Sequence, residues 1–418
     1  MQTVAKTSNI HKHKFTLARR RIRVFATNHN NIHISGQAIN NFFYSLYSII
    51  EKLSSFAKKN VVMLIALVAA AITSIIIPPD AKYISYFDFR TLTCLFCVLG
   101  VVCALKNVNF FYILAQKIVN LFGNLKICVL ALVYITFIGS MLIANDMALL
   151  TFLPLGYFVL NSTNKTKYMA FTLIMQNIAA NLGGMLTPFG NPQNLYLYSK
   201  YAIPTGEFVK IMLLPFVASV ILITACCLIF VKSEKLELTE KPQAINIKKT
   251  SFYLALFALS IVIVFRSIPY WIGLIVIPIA LLITDKKALK AVDYPLLLTF
   301  VFFFIFAGNM ARIDTVNNLL SGILNKNTLL TSVFSCQCIS NVPSAILLSQ
   351  FTENYPSLLI GVNIGGAGTL IASLASLITF REYTKHNPNS KGKYIALFSA
   401  FNFSFVILLT VLMSLCGY

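Results

Sequence analysis

The sequence predicts an all-α polytopic membrane protein built as two inverted repeats. Three observations predict it. The 418 residues are 57% hydrophobic and only 11% charged, whereas a soluble domain carries about a quarter charged residues. Several apolar runs exceed the roughly 18 residues that a membrane-spanning helix requires. Third, a stretch full of helix breakers and amides, Ala180-Asn-Leu-Gly-Gly-Met-Leu-Thr-Pro-Phe-Gly-Asn-Pro-Gln-Asn194, returns near the C-terminus as Val362-Asn-Ile-Gly-Gly-Ala-Gly-Thr-Leu-Ile-Ala372. Both copies lie in segments apolar enough to cross a membrane. A transmembrane barrel would show short alternating segments instead. The expected architecture has about nine to eleven transmembrane helices, two re-entrant hairpins and two unwound helices.

Residues 1–59 hold ten Lys/Arg against one acid, Glu51, and read as a basic, disordered cytoplasmic tail. The first long apolar run begins at Asn60, too late for a secretory signal. The first repeat occupies residues 60–232. A helix from Asn60 to Ile77 ends at Pro78-Pro79, and Asp88-Phe-Arg90 starts a second that runs to Leu105. Residues 107–122 are short and amphipathic, which suits an interfacial arm. Residues 126–160 form a hairpin interrupted by Asn145-Asp146 and by Pro154, residues 168–200 form the first broken helix, and Glu207 to Val231 spans again. The charged segment 233–250 is a cytoplasmic linker between the halves. The second repeat, residues 251–418, carries one extra helix. Spans are expected at 251–266, 270–284 and 294–311, a hairpin at 326–351 around Ser340-Asn341-Val342-Pro343, a broken helix at 356–380 and a last helix at 393–416.

Three landmarks recur in the same order in both halves: Asp88 with Asp293, Asn145-Asp146 with Asn341-Val342, and Asn181-Leu-Gly-Gly184 with Asn363-Ile-Gly-Gly366. Placing the Lys/Arg-rich loops in the cytoplasm puts an odd number of crossings between Asp88 and Asp293. The second repeat is then inverted, and the two hairpins enter from opposite faces. The N-terminus lies in the cytoplasm.

The formal charge of +21 does not indicate nucleic-acid binding, because the excess sits in the tail and in short loops, as the positive-inside rule requires. Seven of the nine Cys, including Cys94-x-x-Cys97, fall in apolar stretches as small packing residues, and Cys336 and Cys338 precede the second tip in the same role. Arg266, Arg312 and Asp314 stand at expected helix ends, where snorkelling to the interface accounts for them. Four His lie in the tail and His386 lies in a loop, so no metal centre is assigned. No phosphate-binding loop, nucleophile elbow or zinc-protease motif is present. The chain is not expected to be an enzyme or an ATP-driven pump, and it needs no cofactor.

Irregular backbone at membrane depth persists only where protein buries it or a wet cavity adjoins it. Freed carbonyls coordinate cations, and half-helix N-termini attract anions. Two copies in matched positions therefore mark a transport site better than one kinked helix would. Asp146 is the acid of interest, since a charge at the bilayer centre costs about 2.5–3.5 kcal/mol and needs a partner or a water-filled path. Its alternative role is to cap the half-helix that starts at Met147. The corresponding position in the second half is Val342.

These residues resemble those of the ion transporter superfamily, which includes citrate transporters, arsenite permeases, sodium–proton antiporters and divalent anion–sodium symporters. The resemblance rests on Ala144-Asn-Asp146, Asn181-Leu-Gly-Gly184, Gly190-Asn-Pro-Gln-Asn194, Ile339-Ser-Asn-Val342 and Asn363-Ile-Gly-Gly-Ala-Gly-Thr369, and covers residues 60–416. It implies a homodimer formed through scaffold helices, with an elevator-like movement of a transport part. The anion–sodium symporters carry Ser-Asn-Thr at both tips, a wording that only Ser340-Asn341 retains here. Asp146 looks more like the arsenite-permease and sodium–proton antiporter branches.

The resulting expectation is a secondary active transporter for a small anion, coupled to Na⁺ or H⁺. Asn145, Asp146, Asn181, Gly183 and Gly184 would hold the coupling cation, with Asn363, Gly365 and Gly366 as their counterparts. Thr187, Asn191, Gln193, Asn194, Ser340, Asn341 and Thr369 would face the substrate. The alternatives are a Na⁺/H⁺ antiporter or an arsenite-type efflux permease, and, in a different class, a passive channel. The other expected partner is the lipid bilayer of the cell's inner or plasma membrane.

Overall fold

The computed structural model describes Ser48, Glu51 and residues 60–119, 121–236 and 246–418. It divides into Met1–Val61 and Val62–Tyr418. The expected tail, residues 1–59, lies outside the described residues apart from Ser48 and Glu51, and so does half of the linker, residues 237–245.

Among the described residues there are eighteen α-helices and no strand beyond one isolated bridge. In chain order they are α1 (Val61–Ile76), α2 (Phe89–Asn107), α3 (Phe110–Val119), α4 (Leu125–Ile143), α5 (Asn145–Ser162), α6 (Met169–Gly183), α7 (Pro192–Lys200), α8 (Thr205–Phe230), α9 (Ile247–Val264), α10 (Tyr270–Thr284), α11 (Lys286–Ala291), α12 (Tyr294–Ala311), α13 (Asp314–Lys326), α14 (Thr328–Ile339), α15 (Asn341–Leu348), α16 (Tyr355–Gly366), α17 (Leu374–His386) and α18 (Lys391–Leu415). Among the described residues, seven segments are long and apolar enough to cross a membrane: α2, α4, α8, α9, α12, α6 with its short 3₁₀ flanks, and α18 with the 3₁₀ turn before it. Three shorter apolar helices, α1, α10 and α14, join them. The chain is an all-α, multi-pass membrane protein.

Side-chain caps fix many of the helix starts. Asp88 accepts from the Thr91 amide at 2.9 Å, and Asp293 accepts from the Leu296 amide at 3.0 Å. Asn124, Asn327 and Asn354 cap α4, α14 and α16 in the same way. Each satisfies one orphan N–H of a first turn. Asp88 and Asp293 therefore open α2 and α12 by identical local chemistry, and the order that follows is shared. A short amphipathic helix (α3 or α13) leads to a hairpin (α4–α5 or α14–α15), then a broken helix (α6–α7 or α16–α17), then a long apolar helix (α8 or α18).

Three segments differ from the sequence expectation. Pro154 does not interrupt the hairpin: α5 runs through it to Ser162. Buried neighbours on both sides, including Phe152, Leu153 and Leu155, hold the turn together, and the Gln176 amide donates to the Phe152 carbonyl at 3.1 Å. His386 is not in a loop but ends α17, where its ring stacks on Tyr157 of α5 at 3.9 Å. α13 falls between two expected segments and fills the place that α3 holds in the first half.

Glycine allows the tightest helix approach. A Cβ on Gly183 would lie 2.4 Å from the Phe137 carbonyl oxygen of α4 and 2.7 Å from Ser140 Oγ. Gly183→Ala is expected to cost about 1–3 kcal/mol, the usual cost of overpacking. Gly206→Ala, in the first turn of α8 with nothing within 4 Å, should not lower the melting temperature in detergent. Equal melting of the two variants would contradict this packing.

One loop cluster is held by charge. Lys165 and Lys167, between α5 and α6, reach Glu234 beyond α8 at 2.6 and 2.7 Å. The Glu234 carbonyl accepts from the Leu125 amide at 2.8 Å. The Lys165 hydrogen bond, and after it that of Lys167, holds the Glu234 carboxyl down to about 2. A depressed folded-state value stabilises above the unfolded value of 4.5 and is lost as pH falls towards about 2. Glu234→Gln should therefore melt slightly below the parent at neutral pH, and the gap should close across that acidic window. A gap independent of pH would contradict the assignment. Arg312 similarly makes a two-point contact with Asp80, at 3.1 and 2.8 Å, and holds that carboxyl below its ordinary value. The pairing, rather than snorkelling, accounts for Arg312.

Candidate functional site

Both hairpins turn on one residue with a positive φ. Ala144 sits at φ 67°, ψ 151° and Ser340 at φ 77°, ψ 159°. L-residues rarely adopt this conformation, and it costs of order 1–3 kcal/mol. The next residue is Asn in both cases, and its side-chain oxygen accepts from the following amide at 2.9 Å: Asn145 from Asp146, and Asn341 from Val342. Its backbone N–H docks on the unwound stretch of the broken helix in the same half. Asn145 N donates to Gly190 O at 3.2 Å, and Asn341 N donates to Ala372 O at 2.9 Å.

The unwound stretches also match. After α6 and a single 3₁₀ turn the chain is extended at Thr187, and α7 starts at Pro192. After α16 it is irregular until Ser373 caps α17. Thr187 Oγ1 donates to Met141 O at 2.8 Å, and Thr369 Oγ1 donates to Gln337 O at 3.3 Å. Each hydroxyl thus ties the break to the last turn of the first hairpin arm. Bulk is excluded within the first break and where the second tip meets its break. A Cβ on Gly184 would lie 2.4 Å from Asn191 Oδ1, and one on Gly366 would lie 2.8 Å from Asn341 Nδ2. A Cβ on Gly365 would likewise lie 2.8 Å from Cys336 Cβ of α14.

A buried amide network joins the two breaks. Asn363 Oδ1 accepts from Asn191 Nδ2 at 3.0 Å and from Gln193 Nε2 at 3.3 Å, while Asn363 Nδ2 donates to Asn194 Oδ1 at 2.6 Å. Asn194 Nδ2 in turn reaches the Gly184, Met185 and Thr187 carbonyls at 3.2–3.3 Å. Asn145 Nδ2 donates to Asn181 Oδ1 at 3.3 Å, and Asn191 Nδ2 donates to the Asn181 carbonyl at 3.1 Å. Asn181, Asn191, Gln193, Asn194 and Asn363 are all at most 1% exposed. In this conformation they bind one another rather than face an opening. Asn191 Oδ1 and Gln193 Oε1 are nevertheless buried without a donor, neutral oxygens of the kind that a cation takes. Thr187, Ser340 and Thr369 are only half-buried.

Asp146 stands apart from the network. It does not cap α5, which has no side-chain cap hydrogen bond, so the alternative role is not realised. Its Oδ1 is buried and has no hydrogen-bond partner. It lines a cavity of about 50 Å³ walled by residues of α2, α5, α7, α12 and α17. Among the described residues, no three His, Cys, Asp or Glu cluster as metal ligands do.

Several residues that sequence reasoning passed over hold the site. Gln337 donates to the Gly365 carbonyl at 2.9 Å and accepts from the Thr369 amide at 2.8 Å, pinning the second break. Asn177 donates to Ser376 of α17 at 3.3 Å and to Asn402 of α18 at 3.4 Å. Their common signal is a primary amide inside an apolar helix. Arg266, expected at a helix end, turns inward: its guanidinium donates to the Tyr198 carbonyl and lies 4.1 Å over that ring, near the end of α7.

The chain is similar in sequence to known membrane transporters. The family model described as citrate transporter matches residues 46–357, which include both tips and the first broken helix. The chain is 34% identical, over 70% of its own length and 81% of the relative's, to an uncharacterized transporter of Methanocaldococcus jannaschii, MJ0456. It is 26% identical to the inner membrane protein YbiR of Escherichia coli, over 70% and 80% of the two chains. The chain is a multi-pass membrane transporter and belongs to the citrate transporter family.

Proposed function

We propose that the protein is a secondary active transporter that carries a small citrate-like anion, driven by Na⁺ or H⁺. The observation that supports this most is the docking of each hairpin tip on the unwound stretch of its own half. The starts of α5 and α7 thereby meet at Gly190, and those of α15 and α17 meet at Ala372. Four half-helix N-termini lend partial positive charge to the two tips, which favours an anion. Thr187, Ser340 and Thr369 are the half-buried hydroxyls beside it, and Asn191, Gln193, Asn194 and Asn341 shape the ground beneath them. The coupling cation belongs at the first tip, with Asp146, Asn145, Asn181 and the Gly183–Gly184 backbone. Asn363, Gly365 and Gly366 form the second half's counterpart.

The two-fold order of elements supports two repeats, the Lys/Arg-rich loops support their inversion and an N-terminus in the cytoplasm of a cell whose inner or plasma membrane holds the protein, and the docking of each tip on its broken helix suits an elevator-type movement of the two together. Broad exposed apolar faces on α8, α10 and α18, such as Ile221, Ile229, Ile283 and Ile407, suit lipid or a second copy in a homodimer.

Labelled citrate uptake into proteoliposomes under an imposed Na⁺ or pH gradient tests this reading. Accumulation above the external concentration is expected with one of the two gradients, and unlabelled citrate should compete. Uptake that only equilibrates under both gradients would leave a passive channel, and gradient exchange with no citrate movement would leave a Na⁺/H⁺ antiporter.

A further inference from the structure

The first tip's cavity contains a second carboxylate. Its lining includes Asp146 of α5 and Asp293 at the start of α12; the remaining walls are Ala144, Pro192 and apolar side chains such as Leu95, Leu99, Leu195 and Ile378. Asp293 uses one oxygen, Oδ1, to cap α12. No hydrogen bond engages its Oδ2 among the described residues. Among the described residues, no Lys, Arg or His lines the cavity, and Asp146 and Asp293 are the only titratable groups that do. Two acids thus share an apolar space with no cationic side chain, and one carboxylate oxygen, Asp146 Oδ1, is buried unpartnered. Leaving such a group unpaired is costly.

The two-fold order shows that this is specific to one side. Asp88 occupies the place in the first half that Asp293 occupies in the second. It spends both oxygens on Thr91, accepting from the amide at 2.9 Å and from the hydroxyl at 2.6 Å. The residue matching Thr91 is Leu296, which offers only its amide. The tip residue matching Asp146 is Val342. Where the halves differ, both differences place an uncommitted carboxylate oxygen on the same cavity. A merely structural cap needs neither difference.

We propose that Asp293 is the second carboxylate of the coupling-cation site, and that one monovalent cation, Na⁺ or H⁺, sits between it and Asp146. The proposal rests on the assignment of Asp146 given above. α12 lies outside the tip and the broken helices, so the cation would bridge the mobile tip and an element beyond it. Its arrival or departure would then govern whether the tip stays against α12.

Asp293→Asn isolates this role, because Asn caps a helix as well as Asp does while the charge is lost. Asp88→Asn is the matched control at the symmetric cap. The melting temperature of the purified full chain in detergent is read against NaCl at fixed pH, with choline chloride keeping ionic strength constant, and against pH without Na⁺. A cation bound to the folded state raises the melting temperature as its concentration passes the site's affinity. For the parent the rise is expected in the Na⁺ arm if the cation is Na⁺, and in the pH arm alone if it is H⁺. Asp293→Asn should need at least about tenfold more of that cation for the same rise, a loss of one carboxylate ligand's worth of affinity, whereas Asp88→Asn should follow the parent. If Asp293→Asn follows the parent while Asp146→Asn loses the response, the role of Asp293 is overturned and that of Asp146 stands. If Asp146→Asn also follows the parent, or the parent responds in neither arm, both are overturned.

Discussion

Asp146→Asn is expected to abolish cation-driven accumulation of citrate while leaving the protein folded. The side chain keeps its shape, it caps nothing, and its Oδ1 makes no hydrogen bond that the change would break. What disappears is the charge on the first tip. Coupling between two bound ligands is typically worth about 1–3 kcal/mol, or about 5- to 150-fold in affinity. Citrate affinity in the variant should therefore lose a cation dependence of that size, and the accumulation ratio under a gradient should fall to one. Uptake and melting are measured on the same preparation. A variant that melts like the parent and still concentrates citrate would remove Asp146 from the mechanism.

The largest effect on stability is expected from Asn363→Ala. Asn363 is the residue through which the two breaks hold each other. It accepts from Asn191 and Gln193 and donates to Asn194 and to the Leu359 carbonyl. Truncation strands Asn194 Oδ1 and the Gln193 amide, both buried, and each orphaned group costs about 1–3 kcal/mol. Asn191 Nδ2 retains the Asn181 carbonyl, so its loss is smaller. A net destabilisation of about 3 kcal/mol follows, far above the change of at most about 0.5 kcal/mol typical of surface substitutions. Chemical unfolding in detergent measures it. A loss below about 0.5 kcal/mol would mean that the amides find other partners, and that the network does not join the halves.

What could be read from the sequence follows from where the physics is local. Gly-Gly with Pro188 and Pro192 in the first copy, and Gly-Gly-Ala-Gly in the second, disfavour a continuous helix, so both unwound stretches were legible, and so were the tips, where Asn adjoins Asp146 or Ser340 within an apolar run. Asp88 and Asp293 were legible as landmarks for the same reason, a cap three residues ahead of an amide. Which of them faces a cavity was not, since that depends on α2, α5, α7, α12 and α17 meeting in space. Pro154 misled because tertiary packing overrides local propensity. α13 escaped because it is short and only one face is apolar. Gln337 and Asn177 were visible as amides in apolar helices, but their partners lie 28 to 32 and 199 to 225 residues away. The spending of Asn191, Gln193 and Asn194 on one another is likewise a tertiary fact.

In the proposed carrier, one site shaped by two tips and two broken helices opens to one side at a time. Counterflow tests it most directly. Vesicles containing the protein are loaded with excess unlabelled citrate and diluted into a trace of labelled citrate, with no Na⁺ or pH gradient. A carrier exchanges inner for outer substrate, so labelled citrate should rise transiently above its equilibrium level and then decay. A smooth approach to equilibrium with no overshoot, in vesicles that demonstrably admit citrate, would contradict the account.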